Sequence, residues 1–328
     1  MSEYEFRTYR PGDEHAILAS FNEVFAQQDP AFEPRSMEDW RWAYTDNPGG
    51  IRVFLALHGD LVAAHYASQP ARVWIDGEER IFAQIIDSFV HPEHRRGLKR
   101  PGLFVQTAVE MLDEFCGPTK DLVTYGWPIE EAWRMGKRFL RYELVRSQVI
   151  LSREPGAGPR ELPAGVEVID RWGDEVRDLW RRASEPWGAS ILRDADYLNW
   201  RFVDNPRHEY TRVVVRDGKR IAGSLVFRLA AWPMPASGLV MDWLVPDDDA
   251  EVGRLLHEAV LALGRTAGAA NLLALFPEWS PWFRRFQERG WLGRPSDYLM
   301  SGRHNTPRHS MEWLRDNWWY QFAEMDIV

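Results

Sequence analysis

The sequence predicts an α/β chain built as two similar mixed-sheet units in tandem. Three observations predict it. The chain has 328 residues, about the length of two ordinary domains. The phrase WRWAYTDNP at 40–48 returns as LNWRFVDNP at 198–206, with Trp42 and Trp200 each six positions before a proline. Apolar runs then recur in the same order behind each copy, which is how a duplicated domain reads.

Glu5–Phe25 opens the first copy with a strand and then a helix, Gly12 and Asp13 marking the helix start. Val166–Ala183 opens the second, with Gly173 and Asp174 in the same place. Behind each D-N-P stands an apolar run, a polar turn and a second apolar run: Val53–Tyr66 turning at Gly59, and Arg212–Leu225 turning at Gly218. That pattern predicts a β-hairpin. Next come IIDSFV (Ile85–Val90) and LVMDWLV (Leu239–Val245), each an apolar strand with an aspartate inside, Asp87 and Asp242. Amphipathic helices follow over Gly102–Phe115 and Glu251–Arg265, their apolar residues three and four apart. Short strands, Asp121–Gly126 and Asn271–Phe276, lead to the helices Pro128–Tyr142 and Pro277–Trp291, where Trp133 matches Trp282. Residues 152–165 are rich in proline and glycine and read as a linker. The expected division is a first domain at 1–151, a second at 166–303, and a tryptophan-rich tail at 304–328.

Composition narrows the function classes. Hydrophobic residues make up 45% and charged residues 27%, a globular mixture. No stretch reaches the roughly 20 apolar residues that span a bilayer. The charged N-terminal segment is unlike a secretory signal, so a cytoplasmic protein without a membrane partner is expected. A net charge of −9 argues against nucleic acid as a partner. One cysteine, Cys116, rules out an internal disulfide framework and lies in an apolar helical pattern, as a buried thiol does. The sequence leaves homo-oligomerisation open.

YRPGDE (Tyr9–Glu14), the hairpin, DSFVHPEHRRG (Asp87–Gly97) and the order helix, short strand, helix together resemble the GNAT (Gcn5-related N-acetyltransferase) family. VHPEHRRG before a helix is similar to that family's acetyl-CoA signature, V-x-P-x-x-R-x-x-G-x-G. The resemblance covers nearly all of 4–150 and, more weakly, about 166–303. It implies two splayed mixed sheets flanked by helices, acyl-CoA in the split, and acyl transfer to an amine. It implies acetyl-CoA as donor, no metal, and a small-molecule or peptide amine as acceptor.

The residue types suit such a donor. A glycine-bearing loop lets backbone N–H groups approach a pyrophosphate, and a helix N-terminus adds partial positive charge. Arg95, Arg96, Lys99 and Arg100 oppose only Glu93, Gly97 and Gly102 flank the turn, and Leu103 opens the helix. Two departures stand out: LKRP lengthens the loop, and Pro101 removes a backbone donor. At the same point the second copy reads VPDDDAEVGR, with Asp247, Asp248, Asp249 and Glu251 against Arg254. Like charge there costs an anion on the order of 1 kcal/mol per pair. The expectation is one donor site, in the first copy.

For the chemistry, the resemblance implies that the backbone N–H near Val90 polarises the thioester carbonyl and that a strand carboxylate serves as base. Asp87 stands there, and strand alternation places it on the side of Ile85 and Phe89, toward the split; the same aspartate in the second copy equally suits a structural tie. The family's acid is a tyrosine in the helix after the short strand, where this chain has Trp133. Tyr125 and Tyr142 are the nearby hydroxyls. His65 and Tyr66, late in the hairpin, face the acceptor in this reading, and Glu130 attracts a cationic amine. A non-catalytic acyl-CoA-binding protein that kept the fold is the alternative. A third reading, a peptide-bridge transferase using aminoacyl-tRNA, runs against the net acidity. The aromatic tail from His309 on is expected to dock on the fold.

Overall fold

The computed structural model of the chain describes residues 3–95 and 101–326. The first half runs β1 (Glu5–Thr8), α1 (Glu14–Ala26), α2 (Met37–Ala43), β2 (Arg52–His58), β3 (Leu61–Ile75), β4 (Glu78–Val90), a 3-10 turn (Pro92–His94), α3 (Leu103–Phe115), β5 (Asp121–Gly126), α4 (Glu130–Phe139) and β6 (Glu143–Arg153). The second runs β7 (Val166–Val168), α5 (Val176–Ser184), β8 (Ala189–Ile191), α6 (Ala195–Phe202), β9 (Thr211–Asp217), β10 (Arg220–Ala230), β11 (Ser237–Leu244), α7 (Ala250–Ala267), β12 (Asn271–Ala274), α8 (Pro281–Glu288) and β13 (Leu292–His304). The tail carries α9 (Met311–Asn317), β14 (Trp318–Trp319) and a 3-10 turn (Phe322–Glu324).

By its contacts the chain forms two compact units. Unit 1 holds Met1–Arg72, Glu79–Val145 and Met300–Met311; unit 2 holds Val73–Glu78, Arg146–Leu299 and Glu312–Val328. The sheet of unit 1 is ordered β1-β2-β3-β4-β5 and is completed by the end of β13, with Ser301 opposite Gly126. That of unit 2 is ordered β7-β9-β10-β11-β12 and is completed by the end of β6, with Leu151 opposite Ala274. Both sheets are mixed: β4–β5 and β11–β12 are parallel, while both hairpins are antiparallel. Boundaries drawn along the sequence at 151 and 166 follow the chain, whereas these contacts follow the sheets. The period of an apolar strand says which face is buried and not which sheet it joins.

In unit 1 the alternation of β2 sends Val53 and Leu55 to one face and Phe54 to the other. The first face packs against Ile17, Phe21 and Val24 of α1 and Trp40 and Ala43 of α2. The second packs against Val105, Ala108, Met111 and Leu112 of α3. The hairpin turns sit where glycine suits them, Gly59 at φ +61° and Gly218 at φ +60°.

The repeated D-N-P phrase has one local meaning in both copies. Asp46 N–H closes on Arg41 O and Asp204 N–H on Asn199 O, both at 2.9 Å, ending α2 and α6. The next asparagine folds over the chain, Asn47 Oδ1 accepting from Gly49 N (2.7 Å) and Asn205 Oδ1 from Arg207 N (2.9 Å). These are Asx turns at helix exits.

Strand alternation fails at Asp87. Its φ is +51°, a left-handed residue inside β4, and such a residue shifts the strand's facing. Ile85 therefore joins the α3 side, while Ile86 and Phe89 join the α1–α2 side. The expectation that Ile85, Asp87 and Phe89 share a side is corrected accordingly.

The linker is fastened to the end of α7. Arg265 donates to the carbonyls of Pro155, Gly156 and Pro159, and Thr266 to that of Arg160. The tail docks in unit 2: Trp318, Trp319, Tyr320 and Phe322 are buried, β14 pairs with β8, and Trp319 stacks on Trp187 at 4.1 Å. Among the described residues no helix is long and apolar enough to cross a membrane.

Candidate functional site

In unit 1 β4 outruns its parallel neighbour β5, which ends at Gly126. Pairing of β4 with β5 runs from Ile81 opposite Asp121 to Gln84 opposite Tyr125, yet β4 continues to Val90. Residues 85–90 thus lie beyond the last paired position. Val90 and Leu103 share one buried cluster, which brings the end of β4 against the start of α3. The N-cap of α3 is Gly102, and no side chain caps it. Its first N–H groups are therefore not taken by a side chain of the N-cap residue itself, which suits an anion site at a helix end. Exposed Arg95 folds back, donating from Nε to Val90 O at 3.0 Å. Arg96, Gly97, Lys99 and Arg100 lie outside the described residues.

Asp87 sits in a built network on the α1–α2 side. Arg35 pairs with Asp87 Oδ2, and the Tyr44 hydroxyl donates to the same oxygen at 2.7 Å. Burial alone would raise this carboxyl, but the charge and hydrogen bond of Arg35, with Tyr44, hold it below the usual carboxylate range. His65 is buried with Nδ1 2.8 Å from Asp87 O and its ring stacked on Phe89 at 5.4 Å. Burial lowers its pKa, so the ring is neutral.

A chain of hydroxyls lies on the opposite side. The Tyr142 hydroxyl donates to Thr124 Oγ1 at 3.2 Å, one residue before β5 reaches its last pairing with β4. Tyr66 hydrogen-bonds Tyr142 in turn. Burial pushes Tyr142 up to about 12 and raises Tyr66 as well. Both stay protonated at neutral pH, fitted to donate a proton and not to abstract one. Tyr125 is buried, edge-on to Trp127 at 5.8 Å. Glu130 is exposed in the first turn of α4 and pairs with Arg134, where it complements the helix dipole. Trp133 packs with Tyr142 and the α3 residues. The Cys116 thiol, pushed up to about 12 by burial, is no nucleophile at neutral pH.

Unit 2 repeats the layout and fills it. Pairing of β11 with β12 stops at Val240 opposite Ala274, while β11 continues to Leu244. The N-cap of α7 is Asp249, whose carboxylate takes Val252 N–H at 3.1 Å. Fully buried Trp282 lies on α7, so close to Gly253 that a Cβ there would meet its ring at 2.1 Å. Its Nε1 donates to Val245 O at 3.1 Å. From the tail, Gln321 donates to Trp243 O at 3.0 Å. Asp242 is tied down like Asp87, here by fully buried Arg193, which also holds Glu324.

Arg35, Tyr44, Thr124 and Arg193 were not singled out from sequence. One signal was available: Arg35 and Arg193 each stand immediately before a helix N-cap, Ser36 and Asp194, in the two copies.

The sequence model of the acetyltransferase (GNAT) domain matches residues 5–132. No curated protein matches the chain significantly. Among solved structures, one similar fold is a conserved protein of unknown function from Enterococcus faecalis V583, described as a probable N-acyltransferase: 13% identity, TM-score 0.65, covering 96% of this chain and 74% of that one. Another is a GCN5-related N-acetyltransferase from Kribbella flavida, at 17% identity and TM-score 0.62, covering 95% and 73%. A third is the Saccharomyces cerevisiae N-myristoyltransferase with bound myristoyl-CoA, at 13% identity and TM-score 0.55, covering 92% and 82%. At these identities the likeness is one of fold. The family match falls on the residues that carry the end of β4 and the start of α3: residues 5–132 match the acetyltransferase (GNAT) domain model.

Proposed function

We propose that unit 1 is an acyl-CoA-dependent N-acyltransferase, with acetyl-CoA as donor and a small-molecule or peptide amine as acceptor. The observation that carries this is the run of β4 past the end of β5 to Val90, beside the N-terminus of α3, whose N-cap Gly102 has no capping side chain. The acyl arm would lie along residues 85–90, and the phosphates would meet the start of α3 and the basic run from Arg95 to Arg100. Transfer is direct: the amine nitrogen bonds the thioester carbon, the carbon–sulfur bond breaks, one proton leaves the amine and one reaches the CoA thiolate. Tyr142 is assigned the second proton, because its hydroxyl stays protonated and is held by Thr124, next to the end of β5. Asp87 is committed to Arg35 and Tyr44, so its role is to hold these in place.

A second reading, an acyl-CoA-binding protein without turnover, is favoured by Trp133 at the position of the family's acid. Free-thiol release from acetyl-CoA across a panel of amines separates the two. Release with at least one amine is expected; donor binding with no release from any amine would establish the second reading. Tyr142→Phe is expected to lower kcat at least about tenfold with KM for acetyl-CoA unchanged. Unchanged kcat would return Tyr142 to a packing role.

A further inference from the structure

The 3-10 turn between β4 and α3 carries a histidine at each end and a glutamate inside it. Such a turn advances about three residues per revolution, so positions 91 and 94 fall on the same side. One ligand atom from each of His91, Glu93 and His94 lies within 4.8 Å of the others. His91 is only 4% exposed, and neither Nδ1 nor Nε2 makes a hydrogen bond. A buried imidazole left so is costly, and packing gives no reason for it. Its Nε2 stands 3.3 Å from Glu23 Oε1 of α1, close but out of line for a hydrogen bond. His94 Nδ1 is taken by the Tyr4 hydroxyl at 3.0 Å, which orients the ring and leaves Nε2 for another partner. His58, at the end of β2, brings a third ring to within 5.0 Å of His94, centre to centre.

Read in sequence, residues 91–94 are only the lead-in to the basic loop, and no metal is expected there. The fold adds Glu23 and His58, which lie 68 and 33 residues before His91 in the chain.

We infer that His91, Glu93 and His94, with solvent as the fourth ligand, form a site for a divalent cation of the zinc, cobalt and nickel class. Two imidazoles with a carboxylate suit these borderline ions; calcium and magnesium call for oxygen ligands throughout. The Tyr4 hydroxyl on His94 is the outer hydrogen bond that fixes a ligating ring. Bound there, the ion would brace the turn between β4 and α3. The inference stands on this turn alone and is independent of the acyltransferase reading.

The full chain, stripped with a chelator, would be titrated with Zn2+ by calorimetry and with Co2+ by visible absorption. One equivalent per chain is expected, with the intense bands of four-coordinate cobalt. His94→Asn and Glu93→Gln, both at accessible positions, should each weaken binding at least about tenfold while circular dichroism stays unchanged. His91→Asn should abolish it, and Cys116→Ser should leave it intact. Absence of binding by the native chain, or equal binding by the His94→Asn and Glu93→Gln variants, overturns the site.

Discussion

Replacing Arg193 by methionine is expected to cost about 3–5 kcal/mol of stability, read by urea denaturation at pH 7. The side chain is fully buried and answers two carboxylates, Asp242 at 3.0 Å and Glu324. Removing the one cation leaves both acids buried and uncompensated. Each is already held above the ordinary carboxylate range, first by burial and only partly offset by Arg193. A carboxyl whose folded value is raised contributes stability below its unfolded value, near pH 4, and loses it as pH rises through the folded one. The deficit of Arg193→Met should therefore be largest at neutral pH and shrink toward pH 4–5. Adding Glu324→Gln should recover part of it, since Gln321 N–H can still be accepted by the amide oxygen. A deficit independent of pH would mean that lost packing, and not unpaired charge, sets the cost.

The matching change in unit 1, Arg35→Met, should cost less and slope the same way. Arg35 keeps 25% of its side chain exposed, so solvent screens part of the loss. Asp87 answers to Arg35 and Tyr44, and its folded value is lowered. That contribution is present above an unfolded value near 4 and fades as pH falls through the folded one. The deficit of Arg35→Met should therefore also be largest at neutral pH and shrink as pH falls, because in both copies protonation relieves the acid left without its arginine.

The pairing of Asp87 with Asp242 was legible because both sit at one place in a repeated strand. Their partners were not, because an arginine before a helix cap carries no periodic signal and lies 52 residues from Asp87 in one copy and 49 from Asp242 in the other. Helices and hairpins were legible for the opposite reason: burial of one face writes itself into the spacing of residues such as Val53 and Leu55. Two things ran against local rules. Asp87 turned the strand at φ +51° where alternation would carry it straight on. The final strands completed sheets distant in sequence, which no local pattern encodes. At the candidate site the basic loop was readable as charge, while the hydrogen bond of Tyr142 to Thr124 depended on where β5 ends its pairing.

The contrast between the two copies yields the second large effect. Titration with acetyl-CoA should give one equivalent per chain. Changing Arg95, Arg96, Lys99 and Arg100 together to alanine should weaken it about a hundredfold or more, as lost charge-assisted contacts to phosphate each contribute about 1.5–3 kcal/mol. From sequence alone, the acidic turn Asp247–Asp249 is what bars a second equivalent. The structure adds a stronger reason. The start of α7 is capped by Asp249 and covered by the ring of Trp282, whose Nε1 already donates to Val245 O. Charge and filled volume make different predictions for Asp247→Asn with Asp248→Asn, which lifts much of the repulsion and keeps the Asp249 cap. If repulsion alone separated the copies, a second, weaker equivalent would appear. A buried indole is not displaced by neutralising its neighbours, since uncovering it forfeits about 3 kcal/mol or more of packing. The expected stoichiometry of the double variant is therefore still one. A second equivalent there would show that unit 2 is closed by charge alone, and two equivalents in the native chain would refute the assignment of the donor to unit 1.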